Sequence, residues 1–90
     1  MPRPGASKPR SEVISLATRV LTPSLGEHMA RAAVRAHIDR LGLSSEQLAD
    51  ADIERLLEGL SKGLVVFVGR QVSQRVVAEL RAALESAETP

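Results

Sequence analysis

Two histidines, His28 and His37, are the first residues to test for chemistry in this chain. They stand nine apart, not at the i,i+4 spacing that turns two imidazoles of a helix toward one metal ion. No cysteine is present, which removes thiolate nucleophiles, disulfides and thiolate zinc sites together and suits a reducing compartment. Asp50 and Asp52 resemble the opening of a calcium loop, but the glycine and the distal glutamate of such a loop are missing. Capping of a helix accounts for these aspartates more simply. The serines do not include a G-x-S-x-G nucleophile elbow.

The stretch Gly63-Leu-Val-Val-Phe-Val-Gly69 has the glycine punctuation of a phosphate loop and the β-branched content of a strand. It fails as a Walker loop: five residues instead of four separate the glycines, and Arg70-Gln71 follows where Lys-Ser/Thr is needed. It fails as a strand because a lone strand has nothing to pair with. Helix is the remaining reading, because burial commonly overrides the modest propensity penalty of valine. No catalytic constellation and no cofactor motif emerges, so the chain reads as a non-enzyme with no small-molecule substrate.

Nucleic acid is the other chemistry to test. Arg3, Lys8 and Arg10 place three positive charges in the first ten residues, and the remaining nine basic and eleven acidic residues leave the body at −2. Arg31 and Arg35 share a face with His28, and Arg35 can pair with Asp39. Arg70, Arg75 and Arg81 are interleaved with Glu79 and Glu85. A net charge of +1 is thin for a DNA-binding domain, and a single aromatic residue supplies no stacking platform. A small DNA-associated dimer using Arg3, Lys8, Arg10, Arg31 and Arg35 therefore stands as the alternative, behind a protein partner.

The elements that would position these residues are helical. Residues 1–10, with three prolines and a glycine, read as a flexible basic tail. Residues 11–87 then read as one helical domain. Ser11 is the expected N-cap of a first helix carrying Val13, Leu16, Ala17, Val20 and Leu21 on one side. Pro23 is expected to break that helix, with Ser24 and Glu27 forming a capping box for the second. Gly42 should end the second helix in the left-handed conformation, letting Leu43 fold back on Ile38.

The third pattern runs Ile53, Leu56, Leu57, Leu60, Leu64, with Glu58 and Lys62 at a favourable i,i+4 spacing. A single helix from Asp52 to Ser86 would be ~50 Å long. That overruns a domain with an expected radius of gyration of ~12 Å. Either the helix breaks near Lys62-Gly63 or Gly69, or it is shared with another chain. A break near Lys62-Gly63 is the preferred expectation, which gives an all-α bundle of about four helices.

The helical phase turns Leu64, Phe67 and Val68 toward the core and leaves Val65, Val66 and Val72 outside. Gly59 and Gly63, one turn apart, would let a second backbone approach closely. The partner-binding residues on this reading are Gly59, Gly63, Val65, Val66 and Val72. The function that follows is a non-catalytic interaction module, an adaptor or regulatory subunit, pairing with another protein chain as a homodimer or hetero-complex. No apolar run is long enough to span a bilayer, and no signal-peptide core follows the start, so a cytoplasmic location is expected.

Overall fold

The structure, a computed structural model, describes residues 7–87. The order of elements is β1 (Ser7–Pro9), α1 (Arg10–Leu25), α2 (Glu27–Leu41), β2 (Gln47–Ala49), α3 (Asp50–Val68) and α4 (Arg70–Ala87). The fold is all-α apart from one antiparallel ribbon, in which Ser7, Lys8 and Pro9 face Ala49, Leu48 and Gln47. The Cα radius of gyration is 12.5 Å.

Read through its elements, the chain is one unit used twice. A short strand leads into a helix, a glycine turns the chain, and a second helix packs back. Gly26 (φ 84°, ψ 153°) makes the turn in the first half and Gly69 (φ 86°, ψ 167°) in the second. That region of backbone space is open to little but glycine. A Cβ at either position would meet nothing within 4 Å, so the conformation and not crowding demands glycine.

The hydrogen bonds repeat as well. Each glycine donates its N–H to the carbonyl four residues back, Thr22 at 2.7 Å and Val65 at 3.0 Å. Each accepts from the residue four ahead, Ala30 at 2.9 Å and Ser73 at 3.0 Å.

Several expected boundaries move for identifiable reasons. Residues 7–10 are not a free tail. Lys8 is buried at 5% exposure, and the Arg10 N–H donates to the Glu46 carbonyl at 2.7 Å. That bond continues the ribbon and satisfies an orphan donor at the start of α1, so Ser11 is not the cap. Residues 1–6 lie outside the described residues.

Pro23 does not break α1. It sits in the last turn, where only the Arg19 carbonyl loses its helical donor, and the helix runs on to Gly26. Ser24 accordingly lies inside α1, and no capping box forms there. The break in the second half falls at Gly69, not at Lys62-Gly63. Gly63 keeps helical geometry, and only Gly69 has the positive φ that reverses the chain.

The end of α2 follows its sequence signature. Gly42 is left-handed (φ 69°, ψ 30°), its N–H reaches Asp39 O, and Leu43 N–H reaches Ile38 O, each at 3.1 Å. At the start of α3, Asp52 accepts from the Ala49 N–H at 3.4 Å, so Asp52 caps from inside the helix.

The core is aliphatic. Val13, Ala17 and Leu21 of α1 meet Ala30, Val34 and Ile38 of α2, the leucine stripe of α3 and Val76, Leu80 and Leu84 of α4. Leu48 of β2 is fully buried, which ties the ribbon to the helices. Ser73 is a buried polar residue, and its hydroxyl donates to the Ser61 carbonyl at 2.8 Å. That bond anchors α4 against α3. The exposed pair Lys62–Glu58, at 3.9 Å, contributes little by comparison. No ion pair joins Arg35 to Asp39 among the described residues.

Candidate functional site

Among the described residues, an apolar groove of about 290 Å³ lies between α2 and α3, bordered by the end of α1. Leu21 and Leu25 come from α1, Met29, Ala32, Ala33 and His37 from α2, and Leu60, Gly63, Leu64 and Phe67 from α3. His37 is the one polar side chain among them. Its Nδ1 lies 2.9 Å from the Ala33 carbonyl, which assigns the proton to Nδ1 and leaves Nε2 as an acceptor in the neutral ring.

The glycine pair on α3 exists for this ring. A Cβ on Gly59 would stand 2.9 Å from His37 Cδ2, a clash, and one on Gly63 would stand 3.4 Å from His37 Cε1. The expectation that Gly59 and Gly63 admit a second backbone is thus replaced: the group that approaches is an imidazole of the same chain. Both glycines are half-buried.

Around the groove the surface stays apolar. Val66 is 82% exposed, Phe67 64%, Met29 47% and Val65 41%. Phe67 was expected in the core and is not there. In α3 the buried stripe of Leu57, Leu60 and Leu64 continues one turn on to Val68, which packs against the core, while Phe67 lies off its edge and lines the groove. Val72 was expected outside and packs partly buried against the core, because the reversal resets the helical phase of α4. The single aromatic residue of the chain is therefore spent on the surface. Periodicity alone misassigned Phe67 to the core, and nothing in the sequence marked Met29 or His37 as groove residues.

The five candidate nucleic-acid residues do not gather in one place. Arg3 lies outside the described residues. Lys8 is buried and borders a small pocket with Asp50, Glu54 and Glu85. Arg10 is half-buried, and its Nε donates to the Leu43 carbonyl at 2.8 Å. Arg31 and Arg35 lie elsewhere, in a groove between α1 and α2, with Arg31 held by Glu27 at 3.0 Å. His28 is exposed, and no group of three metal-ligating side chains occurs among the described residues. None of the helices in the described residues is long and apolar enough to cross a membrane.

Comparison with the profiles of known families, with curated proteins and with solved structures returns no match. The function has to be read from the geometry.

Proposed function

We propose that the protein is a non-catalytic interaction module, an adaptor or regulatory subunit, that receives another protein chain on the α2–α3 face. The observation that carries this reading is the exposure of Val66, Phe67, Met29 and Val65 around an apolar groove in so small a domain. At ~25 cal/mol per Å² of apolar surface, leaving a phenylalanine and three other large side chains in water forgoes several kcal/mol. Patches of this kind in soluble domains mark contact surfaces.

Self-pairing is the simplest closed arrangement, because a two-fold axis lets one face cover its own copy. Val66 tests it, since its side chain stands almost wholly in solvent and outside the groove lining. Light scattering should give wild type twice the chain mass, and Val66→Glu should be a folded, helical monomer. A wild type that stays monomeric at high concentration removes self-pairing and leaves only a heterologous chain. Unfolding by Val66→Glu would place that residue in the core and overturn the reading. The DNA alternative is not favoured, because Lys8 and Arg10 are committed inside the fold.

A further inference from the structure

On the other side of α2, the chain builds a second concavity of different chemistry. A groove of about 610 Å³ runs between α1 and α2. Arg31 and Arg35, one helical turn apart, form one bank, and Arg19 of α1 stands on the other. Glu27 is the only carboxylate among the lining residues and is bound to Arg31 at 3.0 Å, so the groove carries a net charge of +2. No ion pair reaches Arg19 or Arg35 among the described residues.

Thr22 and Thr18 also line this groove. The Thr22 hydroxyl is occupied, donating to the Thr18 carbonyl at 2.6 Å. The Thr18 hydroxyl is not: Oγ1 is buried without a hydrogen-bond partner, although the residue as a whole is only half-buried. An unsatisfied buried hydroxyl is costly. A rotation of about 120° at χ1 carries the hydroxyl to the next staggered position, held now by the methyl or the hydrogen. The groove offers three guanidinium forks with this unpaired hydroxyl beside them.

We infer that this groove binds a small phosphate-bearing molecule, a phosphomonoester or pyrophosphate group held by Arg19, Arg31 and Arg35. Guanidinium forks match phosphate oxygens in pairs, and a bound phosphate offsets the repulsion among three arginines that share one carboxylate. Glu27 opposes the anion at close range, so its removal should tighten binding. Weakening by Arg35→Lys, which keeps the charge and loses the fork, distinguishes this site from a general attraction to positive charge.

The test is a titration of uniformly ¹⁵N-labelled full chain with inorganic pyrophosphate at constant ionic strength, beside a chloride control and a random DNA duplex. Saturable shifts confined to residues 15–35 are expected. Arg19→Gln and Arg35→Gln should each weaken binding about tenfold, Arg35→Lys less, and Glu27→Gln should tighten it. Both arginines are exposed, so helical content should be unchanged, and the lysine variant reports on the site should either glutamine variant fail to fold. Absence of saturable shifts, equal shifts with chloride, or shifts centred on Arg70 and Arg75 would overturn the proposal. Tighter binding of the duplex, lost on the same substitutions, would also overturn it, because the groove would then read a polymer.

Discussion

The two halves of the molecule start their second helices in the same way and bury them differently. Counting from the turning glycine, α2 places Ala30, Val34 and Ile38 in the core at offsets of four, eight and twelve, with at most 1% exposure. In α4 the buried residues are Ser73, Val76, Leu80 and Leu84, at offsets of four, seven, eleven and fifteen. The stripe of α4 is thus rotated by about one residue after its first turn. The face that α4 gives to the core through Val76 and Leu80 is the face that α2 leaves free, where Ala33 and His37 stand at the same offsets. The groove exists because α2 commits its other side inward, and its residues there are too small or too polar to close it.

The sharpest way to break this comparison is to truncate the equivalent residues Leu80 and His37. Leu80 is 1% exposed, and Leu80→Ala should cost about 2–5 kcal/mol in urea denaturation. His37 is half-buried with one hydrogen bond, and His37→Ala should cost about 1 kcal/mol. Equal losses would mean that the groove face of α2 is as structural as the core face of α4.

A smaller effect is expected at the turns. Gly26→Ala and Gly69→Ala should each destabilise by about 1–3 kcal/mol, since both force alanine into backbone space reserved for glycine. A mild effect at one site only would show that one half relaxes its turn and that the repeat is not mechanically equal. The smallest effect concerns the paired positions Ala30 and Ser73. Ser73→Ala gives up the bond to Ser61 and should cost about 1 kcal/mol by thermal denaturation. A stabilised variant would show that this bond is not what anchors α4.

Much of this was legible in the sequence. The all-α class, the helix through GLVVFVG and the Schellman end at Gly42 follow from periodicity and turn chemistry. What was not legible depends on partners distant in the chain. The ribbon pairs residues 7–9 with 47–49, and a basic, proline-rich segment gives no sign that a buried leucine awaits it forty residues on. The inward position of Val72 depends on the reversal at Gly69, across which helical phase is lost, whereas Phe67 stands at the edge of the α3 stripe, where periodicity does not decide. Gly59 and Gly63 read as a contact surface for a backbone because spacing shows that room exists without showing what fills it. Arg19 went unnoticed for the same reason, since the two arginines it faces across the groove lie on another helix.

The ribbon also bears on how the chain reaches its fold. Each helix pair closes through a single glycine, so α1–α2 and α3–α4 can assemble from local contacts, the kind that form on the microsecond scale. Bringing Lys8 beside Leu48 requires closing the whole first hairpin into a loop, an entropic cost that grows only slowly with length but comes before any reward. The strands are therefore expected to join after the hairpins and to lock their relative placement. The Arg10 amide, bonded to Glu46 and not to its own helix, becomes a reporter of that locking step: its hydrogen exchange follows the docking of the two halves and not the fraying of α1.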